Sequence, residues 1–208
     1  MPPIPTHSAT YTLSNGLRII LRPTSDKDST LYMAMMGRGG LGDLDRHSYP
    51  FLKDAASYVD MGGLANVPAD SLIEVMESEN LSMTLGIDDY WHQVLASAPA
   101  DKSQKLMNMV YEKITAPGKA YEDFEEVRNT ERENFGKESL LEHLLKRDAD
   151  RMLSKTVDSL VCNIPANNSA RLDKGDIGKL NLDSMTVYYT SLFANPEQIT
   201  LILTGNFN

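Results

Sequence analysis

Residues Gly37-Arg38-Gly39-Gly40-Leu41-Gly42 have the GxGxxG spacing that can seat a pyrophosphate on a helix N-terminus. That chemistry needs a strand before the loop, a helix opening directly after it and a βαβ frame around both. Here Asp43 and Asp45 follow the glycines and would repel phosphate, two hairpin strands come first, and the next helix signal waits until Ser48. The stretch is expected to be a flexible turn, and a nucleotide-binding enzyme stands third among the functional readings. Zinc chemistry needs three or four converging His, Cys or carboxylate ligands, usually with two of them one helical turn apart. The histidines stand at 7, 47, 92 and 143, none within a turn of another. Ser139-Leu140-Leu141-Glu142-His143 would be HxxEH with histidine at its first position, but serine is no zinc ligand, and His143 and Glu142 are expected on a charged helix face.

Nucleophilic chemistry has equally little to work with. GxSxG and SxxK are absent, and Cys162 has no histidine near it in sequence, although a triad assembled over long range stays open. Glu131 and Glu133 could form a carboxylate pair for acid–base work, but among 29 acidic residues they are expected to be solvated helix charge. The acidic run at 122, 123, 125 and 126 is read in the same way.

The elements that would position these residues follow from pattern. Residues 11–13 and 17–22 are β-prone runs around Ser14-Asn15-Gly16, and Asn-Gly between such runs is a strong hairpin signal. In the second run Leu17, Ile19 and Leu21 alternate with Arg18, Ile20 and Arg22, so one face should be wetter than the other. A polar loop over 24–29 leads to a strand over 30–36, and residues 38–45, rich in glycine, should hold no regular structure. Ser48 can cap a helix running from Tyr49 to about Met61, with Pro50 in its first turn and Gly62-Gly63 as its stop. Pro68-Ala69-Asp70-Ser71, with Glu74, opens a second helix that should bury Leu72, Ile73, Val75 and Met76.

A second hairpin is expected from strands 81–85 and 90–95. After it, Pro99-Ala100-Asp101 opens a helix carrying Leu106, Met107, Met109, Val110 and Ile114. A long helical region starts near Tyr121, and Gly136 should bend or break it. Residues 163–178 read as a loop, 183–193 as a short helix, and 198–204 as a closing strand with Ile199, Leu201, Ile202 and Leu203 buried. Strands at both ends bracketing helices give an α+β fold, with one mostly antiparallel sheet of five or six strands packed against helices.

Composition narrows the function classes. The 208 residues suit one domain, expected over 10–208 after a loose lead-in at 1–9. Twenty basic against 29 acidic residues give a net charge of -9, which disfavours nucleic acid as a partner. No apolar run is long enough to span a bilayer, so no membrane insertion is expected. No secretory signal appears in the chain as given, and a domain cut from a longer secreted protein would look the same. Cys162 stands alone, so the chain has no intrachain disulfide, and cysteine usage suits cytoplasm or periplasm.

The order of these pieces resembles the pitrilysin/insulinase family of zinc metallopeptidases. The resemblance is carried by the opening hairpin around Asn15-Gly16, by Pro117 followed by Tyr121-Glu122-Asp123-Phe124, and by the close from Tyr188-Tyr189 through Asn195-Pro196 to Thr204-Gly205-Asn206. It implies the LuxS-like metallopeptidase unit as the fold. In active members HxxEH lies on the first helix, with a glutamate ligand on a later one. The matching positions here read Pro50-Phe51-Leu52-Lys53-Asp54, so both imidazoles and the catalytic glutamate are replaced, while Glu131 falls near the later ligand. The resemblance therefore implies no catalytic, cofactor-binding or metal residue in this chain, with zinc held in a catalytic unit elsewhere.

In that family four similar units form two halves that close around a peptide. This chain is most similar to a noncatalytic unit, the one beginning the second half, excised from a longer bacterial protein. The partners implied are other repeats of the same chain or a catalytic subunit, together with a peptide substrate. The competing reading is a stand-alone peptide or protein interaction module that adds a strand to an exposed sheet edge.

Overall fold

The computed structural model describes residues 8–24, 29–45, 47–145, 172 and 174–206, with the backbone alone over 135–145. His7, the His143 side chain, Cys162 and most of the loop expected over 163–178 lie outside the described residues. Six strands form one sheet in the order β1-β2-β6-β3-β5-β4: β1 Ala9–Thr12, β2 Arg18–Pro23, β3 Thr30–Arg38, β4 Ser82–Ile87, β5 Trp91–Pro99 and β6 Ile199–Gly205. Only the β2–β6 pair is parallel; the other four pairs are antiparallel. The expected α+β architecture with a mostly antiparallel sheet holds. The first hairpin turns where Asn15-Gly16 placed it, with Gly16 at φ +87° and Asn15 Oδ1 accepting the Leu17 N–H at 3.1 Å.

Period-two burial sorts the strands. Leu31, Met33 and Met35 of β3, Val94, Ala96 and Ala98 of β5, and Ile199, Leu201 and Leu203 of β6 face the helices. Ile202, expected in the core, is only half-buried because it falls on the opposite side of the pleat. Register aligns that opposite side into rows, and the central one reads Thr10, Ile20, Ile202, Ala34, Leu95, Thr84. None of these six belongs to either apolar cluster of the core.

The helices are α1 Tyr49–Leu52, α2 Ala55–Asp60, α3 Ala69–Ser78, α4 Ser103–Thr115, α5 Tyr121–Leu145, α6 Lys174–Ile177 and α7 Leu182–Leu192. Val59 of α2, Leu72 of α3, Leu106 and Val110 of α4 and Tyr189 of α7 close over the inner face of the sheet. Fully burying such side chains stabilises the fold by about 1.5–3 kcal/mol each. A second cluster joins Tyr58 of α2 to Phe124 of α5, Ile177 of α6 and Met185 of α7. Asn181 caps α7 by accepting the Ser184 N–H at 2.8 Å.

Several expectations are corrected. The helix expected from Tyr49 to Met61 is two helices divided at Lys53-Asp54, where Asp54 leaves helical geometry at φ -100°, ψ 12°. Ser48 does not cap it. Asp45 instead holds the turn before the helix, accepting the N–H groups of His47 and Ser48 and the Ser48 hydroxyl, and these bonds hold its carboxyl below the usual range. Ile73 is exposed, since the stripe of α3 follows Leu72, Val75 and Met76 and leaves Ile73 about 100° around the helix. Gly136 does not break the element, as α5 runs through it. A short helix, α6, occupies part of the stretch read as loop. Strand β3 continues through Gly37 and Arg38, and β5 reaches Pro99, four residues beyond the expected end.

Candidate functional site

The glycine-rich loop is strapped to the β4–β5 turn. Gly39 N–H donates to the Tyr90 carbonyl (2.9 Å), Leu41 N–H to Asp88 (2.7 Å) and Gly42 N–H to Asp89 (2.9 Å), while Gly40 N–H reaches Asp43 Oδ2 at 3.3 Å. The donors a phosphate would need are therefore already engaged. The glycines serve close approach: a Cβ on Gly40 would lie 2.0 Å from the Asp88 carbonyl oxygen. The stretch is a turn, as expected, but a tied one rather than a flexible one. Gly37 makes room for His92, which is 1% exposed and donates from Nδ1 to the Gly39 carbonyl at 2.9 Å. That bond fixes the tautomer, burial lowers the ring's pKa, and Nε2 is left buried without a partner.

The positions matching a zinc helix lie in the next segment. Pro50 is buried in α1 and has neither a side-chain donor nor a free backbone N–H. Lys53 and Asp54 project at the division between α1 and α2, both exposed, and pair at 2.6 Å. Glu131 on α5 comes to the same neighbourhood, accepting from the Tyr58 hydroxyl of α2 at 3.4 Å. Tyr58 also packs edge-on against Phe124 of α5, with ring centroids 5.1 Å apart. Its hydroxyl is pushed up to about 12, first by burial and then by the charges of Glu131 and Asp54. The fold thus brings Asp54 and Glu131, far apart in sequence, to bear on one phenol. Glu133 is exposed on the same helix, and among the described residues no contact draws it into a pair with Glu131.

These residues do not fit a catalytic zinc. Such a centre takes three protein ligands and an activated water, and here one carboxylate is held by a lysine ammonium and the other receives a phenol. Lys53, at the position the resemblance gives to the general base, pairs its side chain with Asp54. His47 lies in the turn before α1, and His92 is enclosed in β5. Among the described residues no group of three His, Cys, Asp or Glu converges as a metal site.

Nearby tyrosines set an alkaline limit on stability. Burial raises Tyr58 and Tyr188 to about 12 and Tyr189 further, helped at Tyr188 by Asp43 and at Tyr189 by Asp60. An unfolded tyrosine titrates near pH 10. Between about 10 and 12 the unfolded chain has released phenolic protons that the folded chain keeps, so unfolding free energy should fall as pH rises through that window. Urea unfolding across it should show the decline, and Tyr58→Phe should make it shallower. An unchanged slope in the variant would show that Tyr58 ionises equally in both states.

No family model matches the chain, and no curated protein matches it. Solved structures do. Over 99% of its length the chain superposes on 22% of the periplasmic protease PqqL from Escherichia coli, with a TM-score of 0.80 at 16% identity. The chain has the M16 peptidase fold. It also matches the M16 inactive domain from Pseudomonas fluorescens, at a TM-score of 0.69 and 10% identity, over 97% of this chain and 47% of that one. Pitrilysin matches at a TM-score of 0.67 and 14% identity, over 100% of this chain and 22% of that one. The chain spans between about a fifth and a half of the length of these M16 chains.

The sheet face that no described helix covers is the feature that local sequence reading misses. Its arginines and the apolar members of its central row come from four strands, β2, β6, β3 and β5, and only the alternation Arg18-Ile20-Arg22 signals it locally.

Proposed function

We propose that residues 10–208 form one noncatalytic unit of a pitrilysin-type zinc peptidase, part of the wall that encloses a peptide while HxxEH and its zinc lie in another unit of the same chain or of a catalytic partner. The observation that carries this reading is an M16 fold over nearly the whole chain with Pro50, Lys53 and Asp54 where the zinc helix would need two histidines and a glutamate. A sheet face that no described helix covers suits a wall, because it offers a broad surface without interrupting the core. In this role the unit contributes shape and contacts to the substrate, and no proton transfer or metal ligand.

The second reading, a stand-alone interaction module, is favoured by the sheet edges. Among the described residues, strands β1 and β4 each pair on one side only, which leaves backbone groups for an added strand. Sequencing the gene around this chain separates the two readings. A neighbouring HxxEH unit, with peptide hydrolysis by the assembled protein that depends on this unit being present, is the expected result. Finding the unit alone, or only beside units lacking HxxEH, would overturn the first reading in favour of the second.

A further inference from the structure

We infer that the face of the sheet covered by no described helix binds an acidic polypeptide segment in extended form, one that carries an apolar residue between carboxylates. This deepens the chamber-wall reading and rests on it for the role of the bound peptide.

The charge pattern is the first ground. At the outward-facing positions of the six strands the charged residues are Arg18, Arg22 and Arg38, with no Asp or Glu among them, in a chain whose net charge is -9. A positive face on a strongly negative chain steers anionic partners to that face and repels them elsewhere. It also disfavours a long polyanion such as nucleic acid, which would extend beyond the face over acidic surface.

Shape is the second ground. Ala34 is the small residue in the central row, and around it Tyr32, Leu95 and Ile202 frame a hollow of about 330 Å³ with Thr84 and Ser97 at its margin. Tyr32 and Leu95 are 50% and 42% exposed, so the hollow is open and holds side chains rather than a whole small protein. Along β2, Arg18, Ile20 and Arg22 repeat every second residue, at about 6.5–7 Å per step. An extended peptide repeats its own side chains at that interval, so Glu-x-Leu-x-Glu places carboxylates over the arginines and an apolar group over Ile20.

Two of the cations are held in place. Arg18 Nε and Nη2 donate to Thr200 Oγ1 at 3.2 and 3.0 Å, and the Arg38 guanidinium lies 5.9 Å over the Trp91 ring. Both line an open cleft of about 700 Å³ at one end of the face. Asp43 and Glu197 bound that cleft on the loop side, so an acidic segment is turned away from the glycine loop and along the row toward Arg22.

Fluorescence anisotropy with this chain and two labelled peptides of equal length, one Glu-x-Leu-x-Glu and one Lys-x-Leu-x-Lys, tests the inference. The glutamate peptide should bind at least about tenfold more tightly, with affinity falling as salt rises. Leu95→Glu, at an exposed position, should weaken it by about tenfold while leaving thermal unfolding unchanged. Equal binding of both peptides, preference for the lysine peptide, no effect of Leu95→Glu, equal binding of a single-stranded oligonucleotide, or self-association masking the face would each overturn it. The readings fail separately. Lysine preference leaves the chamber-wall reading standing, whereas a parent without any HxxEH unit removes that reading and leaves glutamate-peptide binding intact.

Discussion

Lys113→Ala should destabilise the fold by about 3–5 kcal/mol, a large fraction of the net stability of an ordinary domain. Lys113 of α4 is 0% exposed, and its ammonium donates to the carbonyls of Val59 (3.0 Å), Asp60 (3.2 Å) and Gly63 (2.9 Å). It therefore closes the C-terminal end of α2, where carbonyls have no partner within the helix and the dipole favours a cation. Burial lowers its pKa to about 8, opposed by the Asp60 charge 3.8 Å away. Two effects compete: the desolvation cost of the ammonium and its hydrogen bonds to three carbonyls, those of Val59 and Gly63 buried and that of Asp60 partly so. The hydrogen bonds should win, because alanine takes a charged donor from all three, leaves Val59 and Gly63 with only the Gly62 and Gly118 N–H groups, and also opens a cavity. Lys113→Met separates the terms by filling the space without donors. Urea unfolding should rank wild type above Met and Met above Ala; a Met variant more stable than wild type would show that desolvation dominates.

Gly37→Ala comes next, with an expected cost of about 2–3 kcal/mol from overpacking. A Cβ there would sit 2.1 Å from His92 Nε2, and the ring cannot retreat easily. It is held by the Gly39 carbonyl and meets Phe193 edge-on at 4.7 Å. His92→Ala on its own should also be costly, but in the Gly37→Ala background it removes the clash. The double variant should lose clearly less than the sum of the two single losses. Simple additivity, measured by the same unfolding curves, would place the strain elsewhere.

How much is legible in the sequence varies by element for physical reasons. The Asn15-Gly16 hairpin, the α4 stripe and the closing strand are readable because their signals are local: a turn residue, a 3.6 period and a 2.0 period. The division between α1 and α2 is not, since residues 49–61 keep a helical apolar pattern and nothing in Lys53-Asp54 forbids a helix. Lys113 escapes a core reading because it is a lysine, although it sits seven residues after Leu106, on the buried stripe. Ile202 reads as core because an apolar run hides which face each residue takes.

The candidate site divides in the same way. The proposed replacement of HxxEH by Pro50, Lys53 and Asp54 rests on position alone and needs no tertiary contact to be read. The meeting of Glu131 with Tyr58 needs two residues 73 apart in sequence, on different helices, to be brought together. The arginine-bearing sheet face is more distributed still. Its rows exist only after β6 inserts between β2 and β3, and pairing at that separation leaves no local trace beyond the alternation in β2.

The central claim is that this unit carries an M16 fold without M16 metal chemistry. Elemental analysis of the purified chain for zinc, with peptide hydrolysis assayed before and after chelation, tests it most directly. Zinc far below one ion per chain and no chelator-sensitive hydrolysis are the expected results, whereas stoichiometric zinc together with cleavage abolished by a chelator would contradict the claim.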